Sequence, residues 1–128
     1  MSDDRFAFEG HTLTEYEDFV TGLMSTHSMR DPSTKLATAG LGLGGEGGEV
    51  ADLVKKILFH GLEFDETVRQ KLIKELGDIM FYVAFAARNV CNTTLREIME
   101  ANIEKLSARY KTGKFTTQEF MDKEKSKE

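Results

Sequence analysis

Apolar residues recur along this chain at intervals of three and four rather than at every second position, and that period predicts helices throughout. Thr12 followed by Glu15 has the form of a capping box. Tyr16, Phe19, Val20, Leu23 and Met24 continue at helical spacing, so a first helix is expected from Thr12 to near Ser28. The run Asp31-Pro32-Ser33-Thr34 signals a turn and a cap, after which residues 35–59 read as a second helix, although seven glycines fall between Gly40 and Gly61. His60 and Gly61 end it. Asp65 or Glu66 opens a third helix, carried by Leu72, Ile73, Leu76, Ile79, Met80, Val83 and Ala87 to about Asn89. Thr94 with Glu97 repeats the capping pattern and starts a fourth, through Ile98, Asn102, Leu106 and Tyr110. Beyond Gly113 the Lys- and Glu-rich tail predicts at most one short helix near 117–123. The expected fold is all-α: a bundle of four main helices in one domain, residues 1–128, with a helical core over about 12–111 and a polar tail over 112–128. A four-helix protomer of this size leaves an apolar stripe uncovered, so completion by homodimerisation, as a dimer or a dimer of dimers, is expected.

Composition supports one packed core. Of 128 residues, 40% are hydrophobic and 30% charged, a balance that excludes wholesale disorder and fibrous classes. Seventeen basic against 22 acidic side chains give a net charge of −5, which disfavours nucleic acid as a partner. The single cysteine, Cys91, cannot form an internal disulfide or build a cysteine-rich zinc site, and a reducing cytoplasmic setting is the simplest expectation. The longest apolar run, residues 79–87, is far short of a membrane span, and the acidic, polar opening at residues 1–5 does not resemble a signal peptide.

Acidic pairs at i, i+3 are common here, including Glu15/Asp18, Glu49/Asp52, Glu63/Glu66, Glu97/Glu100 and Glu119/Asp122, so spacing alone carries little weight. Helical face separates them. At about 100° per residue, Glu46 and Glu49 fall within the arc of Val50, Leu53 and Ile57, while Glu75 and Asp78 fall within that of Leu72, Ile79, Tyr82 and Ala86. Glu97 and Glu100 lie to the side of their apolar arc. Four carboxylates turned toward a core must protonate, pair with cations or hold a metal. An all-oxygen set suits Mg²⁺ or Mn²⁺ better than zinc, and no histidine stands three residues after a Glu, as a di-iron bundle would require. The alternative is that these acids are partly exposed or neutralised by Lys55, Lys56 or Lys74. On the fourth helix Asn102, Lys105 and Arg109, at i, i+3 and i+7, share the side that holds Ile98 and Leu106, so a cationic stripe is expected to face inward there. Fixed cations facing metal-holding carboxylates would suit a polyphosphate; the alternative is that the long side chains reach water while bridging the acids.

The segment Gly42-Leu43-Gly44-Gly45-Glu46-Gly47 matches G-x-G-x-x-G in form only. No strand precedes it, Glu46 would face the diphosphate, and no Gly-Lys-Ser/Thr follows for a Walker loop. The small residues Ala37, Gly40, Gly44 and Gly48 are expected instead to let a neighbouring helix approach or to soften this one.

Three stretches together, residues 44–51 with Glu46 and Glu49, residues 74–82 with Glu75, Asp78 and Tyr82, and Asn102-Ile103-Glu104-Lys105 through Arg109-Tyr110, resemble the MazG-like family of all-α nucleoside triphosphate pyrophosphohydrolases. The family order is E-x-x-E, then E-x-x-D, then N-x-x-K with a following Arg, and the resemblance spans about residues 35–110. It implies a helical protomer that associates at least as a dimer. It also implies Mg²⁺-dependent cleavage of a (d)NTP between the α and β phosphates, giving the monophosphate and pyrophosphate, in nucleotide-pool house-cleaning. Carried over by position, Glu46, Glu49, Glu75 and Asp78 would hold metal, Asn102, Lys105 and Arg109 would contact phosphates, and Tyr82 would line the nucleotide pocket. Glu46 and Glu49 are also the candidate bases, Asp52 a candidate outer ligand, and Phe19, Met24 and His27 the candidates for reading the base. The glycines around Glu46 depart from the alanine-rich helix usual in such enzymes. Two rivals stand beside this reading: a phosphoribosyl-ATP pyrophosphohydrolase, and a non-catalytic helical interaction or regulatory module.

Overall fold

The structure, a computed structural model, describes residues 12–114 and 117–126, and the side chain of residue 119 is not among those described. The polar opening at residues 1–5 and the Glu119 half of the last acidic pair therefore lie outside the described residues. The described residues form five helices, α1 (Leu13–Leu23), α2 (Pro32–Phe59), α3 (Glu66–Asn89), α4 (Leu95–Arg109) and α5 (Thr117–Ser126), and no strand. The all-α class expected from the 3.6-residue period is the class observed. Contacts group into two compact units, Met1–Leu95 and Arg96–Glu128.

In the first unit the helix ends follow local chemistry. The Thr12 side chain accepts the Glu15 N–H and opens α1, as the capping pattern predicts. The helix stops at Leu23 rather than near Ser28 because the Ser25 hydroxyl captures the Ser28 N–H at 3.1 Å, a side-chain bond that competes with helix continuation. α2 starts three residues earlier than expected. Asp31 accepts the Thr34 N–H at 2.7 Å, and Pro32, with its φ preset and no N–H to satisfy, takes the first helical position. That backbone bond, reinforced by Arg30, holds the Asp31 carboxyl below the usual carboxylate range. Asp65 caps α3 in the same way through the Val68 N–H at 2.9 Å.

α3 is the centre of the unit and packs against both α2 and α1. Val20, Ala39, Ala84, Phe85 and Leu95 form the buried cluster, flanked by Tyr16, Phe19, Phe81 and Val83. Polar contacts fix α1 at the C-terminal end of α3: Arg88 pairs with Asp18, and Asn89 Nδ2 donates to Thr21 Oγ1 at 3.1 Å. Glu17 is only 1% exposed, and its carboxylate accepts the Leu95 N–H at 2.7 Å, capping the first residue of α4 across 78 residues of sequence. Its second oxygen, Oε2, is buried with no hydrogen-bond partner among the described residues. Large apolar side chains remain outside, with Leu36, Leu41, Leu58 and Phe59 on α2 and Ile73, Leu76 and Met80 on α3 all exposed.

The second unit holds the rest of α4 and α5. Tyr110 is buried there, and an open cleft of about 400 Å³ is lined by Leu106, Ser107, Tyr110, Lys111, Gly113 and Lys114. No helix among the described residues is long and apolar enough to cross a membrane.

Candidate functional site

The inner stripe of α2 runs through Ala39, Gly42, Leu43, Glu46, Val50, Leu53 and Ile57, all buried or half-buried at helical spacing. The matching stripe of α3 includes Val68, Leu72, Glu75, Ile79, Tyr82 and Ala86. Glu46 and Glu75 therefore sit on the packed faces of two antiparallel helices, with Asp78 at the exposed edge. Carboxylate oxygens of Glu46, Glu75 and Asp78 all lie within 4.8 Å of one another. Partial desolvation, then the charges of Asp78, Glu75 and Glu49, push the Glu46 carboxyl above its ordinary pKa. Burial and the Asp78 charge push the Tyr16 phenol up as well.

Three of the four carboxylates singled out in the sequence thus converge. Glu49 is exposed and lies outside the 4.8 Å group, although its charge is felt at Glu46. The three-residue step turns it about 60° off the inner stripe, and that is enough to take it out of the interface. No ion pair among the described residues neutralises the trio. Lys55 and Lys56 are engaged elsewhere, bridging Asp52 at 3.1 and 2.8 Å. That pairing lowers the Asp52 carboxyl, raises Lys56 and occupies both oxygens of the candidate outer ligand.

Beside the trio lies an open cleft of about 1130 Å³ between α1 and α3, with Glu46 of α2 at its edge. Its walls are mostly apolar and aromatic, from Leu13, Tyr16, Phe19 and Leu23 on α1 and Met80, Phe81 and Tyr82 on α3, while Glu46, Asp78 and Lys74 carry charge into it. The Phe81 and Tyr82 rings meet edge to face, with centroids 5.3 Å apart at 81°. Phe19, a candidate for reading the base, lines this cleft. Met24 packs against the buried cluster instead, and His27 is exposed in the turn before α2; neither is among the lining residues. Tyr16 lines the cleft too, and its pairing with Phe19 as two aromatic residues at i, i+3 is the signal for it in the sequence.

The small residues of α2 differ in what surrounds them. Gly40, Gly44 and Gly48 have no described atom of this chain near enough to meet a Cβ, so none of them seats a neighbouring helix within the protomer. Gly42 does, because a Cβ there would lie 2.2 Å from the Tyr82 ring. In the second unit, Asn102, Lys105 and Arg109 share one side of α4 at i, i+3 and i+7; Asn102 and Lys105 are exposed rather than turned inward as expected, because their long or polar side chains reach solvent, and Arg109 is half-buried.

A family model described as the MazG nucleotide pyrophosphohydrolase domain matches residues 35–114. The chain belongs to that family. It is also similar to the Gene 37 protein of Mycobacterium phage L5, 43% identical over 75 residues that make up 57% of this chain and 64% of that relative. The chain thus spans just under two thirds of the length of the curated relative it matches. No solved structure matches it. The MazG match contains the whole carboxylate trio, Tyr82 and the polar side of α4, whereas α1, with Tyr16 and Phe19, precedes it. The acidic centre therefore lies in the part held in common with the family, and one wall of the cleft comes from outside that part.

Proposed function

We propose that this MazG-family chain is a Mg²⁺-dependent nucleotide pyrophosphohydrolase that converts a (d)NTP to the (d)NMP and pyrophosphate, in clearance of surplus or aberrant nucleotides. The observation that carries the reading is the trio Glu46, Glu75 and Asp78, with no cation paired to it among the described residues and with Glu46 and Asp78 lining an aromatic cleft. Its donors are all oxygen, and their mutual repulsion is what a hard divalent cation relieves, so the residues fit Mg²⁺ or Mn²⁺. These three would hold the ion. When bound, it supplies charge neutralisation at the phosphate oxygens and makes water easier to deprotonate.

The remaining roles fall to the chain's own groups. Tyr16, Phe19, Phe81 and Tyr82 would receive the base against their apolar and aromatic surfaces. Asn102, Lys105 and Arg109 would contact the phosphates, offering charge-assisted hydrogen bonds that strengthen as charge develops. Glu49, outside the trio and exposed, is the carboxylate left to accept the proton of attacking water, since a group engaged in holding metal is a poor base.

The test is incubation with each (d)NTP and with phosphoribosyl-ATP in Mg²⁺, scoring pyrophosphate against orthophosphate. Pyrophosphate with the nucleoside monophosphate is the expected primary product. Orthophosphate as the sole primary product, which means cleavage at the γ position, would overturn the reading.

The matched span 35–114 crosses from the first compact unit into the second, which supports treating residues 1–128 as one domain. The exposed Leu36, Leu41, Leu58 and Phe59 support a homodimer or a dimer of dimers. Light scattering at micromolar concentration is expected to give at least the dimer mass; a monomer would contradict this. A cytoplasmic setting fits the lone, unpaired Cys91.

A further inference from the structure

Helices α2 and α3 run antiparallel, and two contacts fix their register. Glu46 meets Asp78, and one turn away, counting back along α2 and forward along α3, Gly42 meets Tyr82. The second contact is so close that position 42 has no room for a side chain: a Cβ would stand 2.2, 2.3 and 2.6 Å from Cε1, Cδ1 and Cζ of the Tyr82 ring. The other glycines flanking Glu46, at 44, 45, 47 and 48, have no described atom within 4 Å of such a Cβ. A glycine in the middle of a helix costs stability relative to alanine, and at Gly42 that cost is matched by a specific neighbour. Tyr82 is also a wall of the aromatic cleft, beside Phe81 and Asp78.

We infer that Gly42 is a positioning residue for the nucleotide cleft: by carrying no side chain it seats the Tyr82 ring against the α2 backbone and so sets the cleft's width. A side chain at 42 has two ways to relieve the overlap. Parting α2 from α3 disrupts the packing of Ala39 and Leu53 along the whole stripe, whereas turning the Tyr82 ring costs only a rotamer change. The ring is the softer element, and the space open to it is the cleft. Gly42 thus governs which bases fit, without touching the nucleotide itself. The inference rests on the reading of this cleft as the nucleotide site, and it adds the residue that fixes the site's dimensions.

The experiment compares wild type, Gly42→Ala, Tyr82→Ala, the double variant Gly42→Ala/Tyr82→Ala and the control Gly44→Ala. Calorimetry measures binding of the non-hydrolysable α,β-imido analogues of dATP and dTTP, and of Mn²⁺ alone. Gly42→Ala is expected to weaken the purine analogue at least tenfold and the smaller pyrimidine analogue less, with Mn²⁺ affinity within about threefold of wild type. In the Tyr82→Ala background, adding Gly42→Ala should change neither analogue by more than about twofold, because the clashing ring is gone. Gly44→Ala should bind like wild type and melt higher, since it removes a helical glycine without a contact. Failure of Gly42→Ala alone to fold, with the double variant folding, would mean that the overlap is relieved by parting the helices rather than by turning the ring, and overturns the inference. Equal binding of both analogues by wild type and Gly42→Ala overturns it, as does an undiminished effect of Gly42→Ala in the Tyr82→Ala background. Failure of wild type to bind either analogue, by contrast, overturns the nucleotide reading on which it rests.

Discussion

Asp78→Asn is expected to lower pyrophosphohydrolase turnover by on the order of a hundredfold or more, while raising the melting temperature in metal-free buffer. Both effects come from the same geometry. Asp78, Glu46 and Glu75 bring their oxygens within 4.8 Å of one another with no cation paired to them among the described residues. Removing one charge weakens the hold on a divalent ion and relieves the repulsion that already pushes the Glu46 carboxyl up. The sign with pH follows. A carboxyl whose folded pKa is raised stabilises the folded chain below the ordinary carboxylate value, and that contribution is lost as pH rises through the raised one. The metal-free wild type should therefore lose stability relative to Asp78→Asn as pH climbs through this window. Added Mg²⁺ should lift the wild-type melting temperature more at neutral than at acid pH, because protons and the ion compete for the same oxygens. Thermal melts with and without Mg²⁺ at two pH values check the whole set. A melting temperature lowered by Asp78→Asn without metal would mean that these carboxylates are stabilising partners rather than a strained, metal-seeking group.

Glu17→Ala is expected to destabilise the fold by about 2–4 kcal/mol, lowering the melting temperature by on the order of 10 °C. The side chain is 1% exposed and supplies the acceptor for the Leu95 N–H at the head of α4. Alanine leaves that buried donor unmet and opens a void where the buried side chain stood. Glu17→Gln separates these contributions. The amide keeps an oxygen for Leu95 but places N–H donors where Oε2 has no partner among the described residues, so a loss of about 1–2 kcal/mol is expected. Chemical denaturation gives both values. A Glu17→Ala variant within about 0.5 kcal/mol of wild type would show that the cap contributes little.

The sequence disclosed much of the fold because its signals are local. Thr12, Asp31 and Asp65 sit beside the N–H groups they satisfy, and a periodic apolar run reports its own helix. Where local chemistry competed, the reading slipped by a few residues, as at Ser25, whose hydroxyl ends α1 early. The site was legible to a lesser degree. The inward turn of Glu46 and Glu75 followed from face arithmetic, but Glu49 lies one step round the helix, and an apolar arc read from sequence is wider than the strip that a neighbouring helix covers. Glu17 left no mark in the pattern. Its partner is 78 residues away, and a glutamate on a short first helix looks like any solvated acid.

Taken alone, the order of residues determined that the chain would be helical, where most helices would begin, and that acidic pairs would recur on the two long ones. Tertiary structure decided which acids meet, that Gly42 rather than the Gly40, Gly44 and Gly48 stripe lies against a neighbour, and that α1 walls the cleft. The division has one physical cause. Helix formation is governed by bonds between residues three and four apart, whereas convergence depends on the rotation and axial offset of one helix against another. Those two quantities are set by packing over the whole face, and no single stretch of the chain contains them.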